Sequence, residues 1–271
     1  LQQTGFELLT AVGVFSPDEP LELERAGIPV EFPEEAMAEA AALDLGPVLS
    51  QPRREDLTSL PALTIDDAGT EDRDDALSLE ATAEGVYRLG IHIADAGAII
   101  PLGSAMDREA GRRMATLYTP ELKVPMLPPE VSSGTGSLVS GERRVALSLV
   151  VDVTASGDVA EWRIVPSTIR SQAVLTYDEA DAAIGTQSGP WSDILRALHG
   201  IAEGLKSSRE ASGALVLDSP EMHVRLAESG EVEVRGVTRS TPARSTVTEL
   251  MILCNSLLAK YCLEKNLPAV Y

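Results

Sequence analysis

Two kinds of apolar pattern follow one another from Leu60 onward, and they predict different elements. Short apolar or alternating runs are typical of strands, whereas apolar residues that recur every three or four positions are typical of helices. The short runs predict strands at residues 63–65, 76–79, 86–94, 144–153, 159–174 and 215–238. Because strands and helices follow each other without strict alternation, we expect an α+β fold.

Turn and capping residues agree with this division. Ser156-Gly157 separates two of the predicted strands, and Ser229-Gly230 divides the last strand region. Helical periodicity predicts helices at residues 33–40, 104–118, 193–210 and 246–263. Ser104 followed by Asp107 has the form of a capping box at the start of the second helix. The last helix is amphipathic, and its apolar face holds Leu250, Cys254, Leu257 and Tyr261.

Residues 1–59 differ in composition from the rest of the chain. They hold twelve acidic and three basic residues, together with all three phenylalanines. We therefore predict two units: an acidic N-terminal extension, residues 1–59, and a main domain, residues 60–271. The chain begins at Leu1 without a Met and ends at Tyr271 on residues typical of a strand, so we expect a part of a longer protein.

The bulk composition limits the classes of protein. The net charge of −20 disfavours a nucleic-acid binder, since such proteins usually have a basic surplus. No run of about 18 apolar residues occurs, so we expect no membrane span. Cys254 and Cys262 lie about two helical turns apart, too far to bond to each other, which is typical of reduced thiols in a cytoplasmic protein.

Six carboxylates lie within the ten residues from Asp66 to Asp75. Such a cluster is strongly repulsive unless cations neutralise it. An apolar strand leads directly into the cluster and another leaves it, as expected where packed strands hold metal-binding oxygens in place. Oxygen-only ligands favour Mg²⁺, or Mn²⁺, over zinc. An acidic surface turn is the open alternative.

Two other metal-binding motifs do not fit the sequence of this stretch. An EF-hand loop needs acids at its first, third and fifth positions, Gly at the sixth and Glu at the twelfth, and no frame here supplies them all. An aspartyl-phosphatase loop would need a second acid two residues after Asp66, where Ala68 stands.

The chain resembles the ribonuclease II family through its RNB catalytic domain. The resemblance covers about residues 53–271 and depends on a series of blocks in the family's order and approximate spacing. The blocks include the Asp66–Leu77 stretch, Ile91-His92-Ile93-Ala94-Asp95, Pro125-Met126-Leu127-Pro128, Leu175-Thr176-Tyr177-Asp178-Glu179-Ala180 and Glu249-Leu250-Met251-Ile252. It implies an RNB-type domain with mixed or antiparallel sheets flanked by helices.

The resemblance also implies an activity and its site. The expected activity is processive, Mg²⁺-dependent hydrolysis of single-stranded RNA from the 3′ end, releasing nucleoside 5′-monophosphates in RNA turnover. Two cations held by aspartates can activate water and neutralise the leaving oxygen. By the family pattern, Asp66 and Asp75 are direct metal ligands, Asp72 completes the metal shell, and Asp74 positions metal and water at the scissile phosphate.

Two tyrosines match substrate-binding positions of the family. Tyr118 matches a tyrosine that stacks near the 3′-terminal nucleotide, although it could simply close a helix. Tyr177 matches a tyrosine linked to the preference for RNA over DNA, and core packing is its alternative. Arg73 stands where the family usually has an apolar residue, and we expect it either to pair with acids or to reach the substrate. A further OB-fold RNA-binding domain is expected in the full-length protein.

Two other functions remain open. One is a catalytically inactive RNB-type module that binds RNA or regulates; the intact set of four aspartates argues against it. The other is a metal-dependent phosphoesterase acting on small substrates. The acidic extension has no function that we can infer.

Overall fold

A computed structural model describes residues 2–16, 21–83, 85–119, 122–215, 221–226, 232–237 and 240–269. In these ranges the strands are β1 Glu55–Asp56, β2 Ala62–Asp66, β3 Asp75–Ala83, β4 Val86–Ala94, β5 Leu117–Tyr118, β6 Lys123–Val124, β7 Arg143–Thr154, β8 Val159–Thr176, β9 Glu221–Leu226 and β10 Val232–Val237. The α-helices are α1 Gln2–Ala11, α2 Leu21–Ala26, α3 Glu34–Ala41, α4 Gly46–Leu49, α5 Ala96–Ile99, α6 Ala105–Arg113, α7 Tyr177–Thr186, α8 Ser192–Ala211 and α9 Pro242–Glu264, and a wider helical turn spans Glu130–Thr135.

The main sheet is mixed and closes on itself through β8. Its strand order is β1-β8-β2-β3-β4-β7, and β8 also pairs with β7. The first part of β8 runs antiparallel to β7, and its last residues run parallel to β2, with Asp66 opposite Thr176. The length of β8, 18 residues, makes both pairings possible. This architecture confirms the predicted α+β class with a mixed sheet and flanking helices.

The two faces of the sheet differ in chemistry. One face packs large apolar side chains, such as Leu77 and Ile91, against α7, α8 and α9. The other face holds a smaller cluster around Ala76 and Ile169 and a buried polar group, His92. Alternation of side chains along each strand produces this division.

Most predicted elements are confirmed, with one error at a boundary. The helix predicted for residues 104–118 begins as expected, because the Ser104 hydroxyl accepts a hydrogen bond from the Asp107 N–H. It ends early, at Arg113, because Met114 adopts a left-handed conformation with φ 61°. Tyr118 therefore lies on β5, which pairs with β6, and does not close a helix. The turn predicted at Ser229-Gly230 lies outside the described residues.

The N-terminal residues contact the main domain through several polar groups and through strand pairing. The carboxylate of Glu39 on α3 accepts hydrogen bonds from the N–H groups of Ala105 and Met106, where α6 begins. Buried Arg54 forms an ion pair of 2.7 Å with Asp95, and β1 joins the main sheet. The division at residue 59 stays a prediction.

Helix α9 is the one described helix that is long and apolar enough to cross a membrane by length and composition. It packs against α8, α7 and β4. A core helix of a soluble protein passes the same test, so the expected absence of a membrane span stays a prediction.

Candidate metal centre and nucleotide cleft

The acidic loop, residues 67–74, connects two neighbouring antiparallel strands at one end of the sheet. Asp66 is the last residue of β2 and Asp75 is the first residue of β3. The carbonyl of Asp74 accepts a hydrogen bond of 2.8 Å from the N–H of Ala94 at the end of β4. Rigid strands therefore hold both ends of the loop, as the sequence predicts.

Ser137 clamps the middle of the acidic loop. Its hydroxyl accepts a 3.0 Å hydrogen bond from the Arg73 N–H and donates a 2.9 Å hydrogen bond to the Glu71 carbonyl. The N–H of Leu138 donates to the Arg73 carbonyl at 2.9 Å. Ser137 is fully buried. Sequence reasoning missed this residue, because it lies about 65 positions away and has no local pattern to mark it.

Three of the four predicted metal ligands have raised pKa values. Burial, reinforced by the charges of Asp66 and Asp74, raises the pKa of Asp75 to about 6. Burial also raises the pKa of Asp66, where Arg73 opposes it and Asp74 adds to it. The pKa of Asp74 is raised by burial and by Asp72. The structure thus brings the four aspartates close enough to repel one another, and an added cation would relieve that repulsion.

Three cations reach into the cluster from different parts of the chain. The Lys123 ammonium lies 2.6 Å from Oδ2 of Asp72, and Nε of Arg73 lies 4.0 Å from Oδ2 of Asp66. Arg244 binds Asp67, a loop residue outside the predicted ligand set. Among the described residues, neither Asp74 nor Asp75 forms an ion pair, although the charge of Lys123 opposes the rise in the pKa of Asp74. Arg73 thus lies near a neighbouring acid, as the first of its two expected roles requires, and contact with the substrate stays a prediction.

One buried carboxylate oxygen, Oδ2 of Asp66, has the surroundings expected of a metal ligand. Oδ2 of Asp66 is buried and has no hydrogen-bond partner, and Nε of Arg73 opposite it is also unsatisfied. A buried charged oxygen without a partner is costly, and a divalent ion would satisfy it. Across the part of the chain that the structure describes, no three acidic, His or Cys side chains already converge as a metal site. The donors therefore fit a hard cation chemically, and binding it requires side-chain movement, above all at Asp72.

Tyr118 lies beside this cluster on an open cleft. The cleft has a volume of about 400 Å³ and is lined by Ala68, Gly69, Thr70, Glu71, Asp72, Asp74, Tyr118 and Lys123. The Tyr118 ring is 71% exposed, and the Lys123 ammonium lies 5.6 Å from its centre. A ring exposed to this extent does not serve core packing, and it is free to stack on a base.

Tyr177 has a different environment. It is the first residue of α7, where Thr176 and Glu179 form a reciprocal capping box. The Arg244 guanidinium stacks 4.1 Å above the ring, and one edge of the ring packs on the main core. Burial, with a smaller effect of Asp75, raises the pKa of Tyr177 to about 12. Both expectations for Tyr177, substrate contact and packing, are compatible with this position, and its role stays a prediction.

The three arginines of α6 are mostly engaged in contacts within the protein and so are poorly placed to bind a substrate. Arg113 is buried, where it bonds to Glu109 and stacks 3.8 Å over Phe32. Arg108 and Arg112 are exposed, and each already pairs with a glutamate. This helix face is therefore mostly structural or solvated.

The mixed sheet carries an oxygen-rich centre at one end and an aromatic cleft beside it, a donor set whose chemistry suits a hard cation. Comparison with known proteins gives the family. The model of the RNB domain matches residues 54–271. The chain belongs to the RNB domain family, which confirms the resemblance inferred from the sequence. Matching relatives are named as ribonucleases and exonucleases, which supports RNA degradation as the family's activity.

Relatives of this chain are named as ribonucleases or exonucleases, and one of them is named as inactive. A protein of Synechocystis named an uncharacterized ribonuclease is 33% identical over 270 residues, covering 97% of this chain and 40% of the relative. Ribonuclease R of Thermotoga maritima is 32% identical over 253 residues, covering 90% of this chain and 35% of the relative. The chain thus spans less than half the length of these relatives. An Arabidopsis thaliana relative named an inactive exonuclease is 33% identical over 263 residues, 91% of this chain and 23% of that protein.

A solved structure supports the fold. RNase R of Mycoplasma genitalium, in complex with ribose methylated single-stranded RNA, has a TM-score of 0.83 and 22% sequence identity. The match covers 92% of this chain and 40% of that chain. Because so little of the sequence is shared, the likeness concerns the fold and not the site.

Proposed function

We propose that this chain is the catalytic region of a divalent-metal-dependent 3′-to-5′ exoribonuclease that degrades single-stranded RNA processively to nucleoside 5′-monophosphates. The proposal names Mg²⁺ as the cation, with Mn²⁺ able to replace it. The observation that supports it most is the repulsion within the acidic centre. Among the described residues neither Asp74 nor Asp75 forms an ion pair, and the buried Oδ2 of Asp66 has no hydrogen bond, with Nε of Arg73 at 4.0 Å. In a merely structural acidic turn, a carboxylate oxygen such as Oδ2 of Asp66 would not be expected to be buried without a hydrogen bond.

Each residue has a distinct task in this proposal. Asp66 and Asp75, at the ends of two adjacent strands, would hold the metal, and Asp72 would complete its shell after leaving Lys123. Asp74, fixed through its carbonyl by Ala94, would orient the attacking water and the scissile phosphate. The bound cations supply an activated water and neutralise charge at the phosphate.

The cleft would receive the end of the RNA strand. Tyr118 would stack on the terminal base from its exposed position, which typically contributes about 1–3 kcal/mol per base. Tyr177, next to Asp75 and beneath Arg244, would contact the ribose and help to select RNA over DNA. Stacking does not depend on the base, so this arrangement would accept any sequence.

The setting of the protein is part of the proposal. The net charge of −20 leaves few cations for an RNA backbone, which favours an additional OB-fold RNA-binding domain in the intact protein. The free thiols of Cys254 and Cys262 agree with a cytoplasmic location.

The Asp74→Asn variant of the intact protein tests the proposal. Incubated with Mg²⁺ and a 5′-labelled single-stranded RNA, the wild-type protein should shorten the RNA and release 5′-monophosphates, and the variant should lose at least about 1,000-fold in rate. Asp193→Asn, at an exposed position in the first turn of α8, is the matched control and should keep its activity. Normal hydrolysis by Asp74→Asn would refute the assignment.

An inactive RNB-type module that binds RNA is the second candidate, favoured by the Arabidopsis relative named inactive. The same experiment separates it, since a folded wild-type protein that binds the RNA without shortening it would be such a module. Adding small phosphate esters as substrates covers the phosphoesterase alternative, which requires their hydrolysis in preference to RNA.

A further inference from the structure

Lys123 lies where the acidic loop and the aromatic cleft meet. Its ammonium group is 2.6 Å from Oδ2 of Asp72 and 5.6 Å from the centre of the Tyr118 ring. All three side chains line the cleft beside Asp74. One cation thus contacts both a predicted metal ligand and the predicted base-stacking residue.

The backbone of Lys123 is fixed while its side chain can move. Lys123 on β6 pairs directly with Tyr118 on β5, and the N–H and carbonyl of Leu122 both bond to the Thr119 hydroxyl. The Lys123 side chain is 34% exposed toward the cleft. A flexible four-carbon stem can swing an ammonium group by several Å without moving the strand.

The other two cations of the cluster do not share this position. Arg73 belongs to the acidic loop itself, donates to the Glu71 carbonyl and does not line the cleft. Arg244 binds Asp67, which is not a predicted ligand, and its guanidinium is stacked on Tyr177. Of the three, Lys123 alone both occupies a predicted ligand and faces the space where the RNA would lie.

We propose that Lys123 is an exchangeable counter-ion: it neutralises Asp72 while no divalent cation is bound, and it moves to a phosphate of the RNA when Asp72 joins the metal shell. The inference depends on the proposed function and adds a coupling between its two ligands. Lys123 competes with the metal for Asp72, and the metal in turn releases Lys123 for RNA. Metal and RNA should therefore bind cooperatively through this one side chain.

The variant Lys123→Met of the intact protein should change the two affinities in opposite directions. Without RNA, Mn²⁺ should bind about fivefold more tightly by calorimetry, because the competing ammonium is gone. With saturating Mn²⁺, binding of a single-stranded RNA that carries a non-hydrolysable, charged methylenephosphonate at its 3′-terminal linkage should weaken. The slope of log Kobs against log salt concentration should lose about 0.7, the value for one phosphate contact on a single strand.

Two controls separate this role from a structural one. Lys260→Met removes a lysine that lies 6.0 Å over Trp162, so it makes the same chemical change beside another aromatic ring and should alter neither affinity. Lys123→Arg should restore RNA binding because it keeps the charge. If Lys123→Met does not fold, judged by thermal unfolding, Lys123→Gln takes its place.

The outcomes are distinct from those for the proposed function. Unchanged or weaker Mn²⁺ binding by Lys123→Met would overturn the inference even if the wild-type protein hydrolyses RNA. An equal loss of RNA affinity with and without Mn²⁺ would also overturn it, because the metal would then not release Lys123. Loss of RNA hydrolysis by the wild-type protein would refute the function itself.

Discussion

Two polar clusters lie on the same sheet, one fully buried and one partly exposed, and they differ in how their charges and hydrogen bonds are satisfied. A chain of hydrogen bonds, here called the His92 chain, links the four strands β3, β4, β7 and β8. Nε2 of His92 is 2.9 Å from the Ser78 hydroxyl, and Nδ1 is 2.6 Å from the Ser148 hydroxyl. Ser148 in turn lies 2.6 Å from Ser167. Burial lowers the pKa of His92 to about 4, so the histidine and the serines bonded to it carry no charge near pH 7. The polar atoms of the His92 chain stabilise one another.

The acidic centre lies only a few residues along the same strands, yet its groups oppose one another. Asp75 is half-buried with a pKa raised to about 6, and a buried oxygen of Asp66 has no hydrogen bond. Burial of polar groups therefore does not by itself indicate function. In the acidic centre the carboxylates repel one another, and a bound cation would relieve that repulsion. The His92 chain differs because its hydrogen bonds are satisfied without any ligand.

The largest effect that this comparison predicts is at His92. The change His92→Ala leaves two buried serine hydroxyls without their partner and opens a cavity, so the free energy of unfolding should fall by about 3–4 kcal/mol. Metal affinity should stay within about twofold, measured by Mn²⁺ titration of the folded variant. His199→Ala, which removes a half-buried histidine bonded to Thr246, should cost less. A large loss of metal affinity in His92→Ala would show that the two clusters are coupled.

Asp75→Asn should have the opposite effect on stability. Above about pH 6, Asp75 is ionised in the folded protein without metal. Its partly buried site favours the protonated form, so the ionised carboxylate lowers the stability of the fold. Removing that charge should raise the free energy of unfolding by roughly 1–3 kcal/mol at pH 7, and added Mg²⁺ or Mn²⁺ should no longer raise the melting temperature. A metal-free variant less stable than the wild-type protein would contradict this view.

The pH profile of the same variant separates the two clusters. The Asp75 penalty is absent below about pH 4, grows as pH rises to about 6 and is complete above it. The His92 penalty has the reverse order, since it grows as pH falls from about 6.5 to about 4. The two effects oppose each other in the metal-free wild-type protein. In Asp75→Asn the Asp75 penalty is absent, so the stability measured by denaturant unfolding should fall less, relative to the wild-type protein, as the pH rises from about 4 to about 6.

The smallest effect is expected at Ser137. Ser137→Ala breaks the clamp on the loop backbone, which should lower the free energy of unfolding by about 1–2 kcal/mol and Mn²⁺ affinity by about tenfold. Ser140→Ala, at an exposed position three residues away with one long hydrogen bond, should leave both nearly unchanged. Metal affinity that is unaltered in Ser137→Ala would mean that the strands alone hold the loop.

Sequence reasoning placed the acidic loop well and its surroundings poorly. It identified Asp66 and Asp75 at the ends of two strands because strand patterns and the acidic run are both local. It missed helix α7, although Thr176 and Glu179 are in capping-box spacing and could have marked its start. It extended the helix of residues 104–118 too far, because nothing in the local periodicity announces the left-handed turn at Met114.

The sequence alone determines which residues can bind a cation. It also determines that these residues lie at the end of one strand and at the start of the next. Only the tertiary structure decides what surrounds them: Lys123 meets Asp72 across 51 positions, and Ser137 meets the Arg73 backbone across 64. Such pairs form because segments outside the main sheet, β6 and the residues before β7, pack against the loop between β2 and β3. Local periodicity reports hydrophobic faces within one element, whereas charge pairing and burial depend on which elements become neighbours.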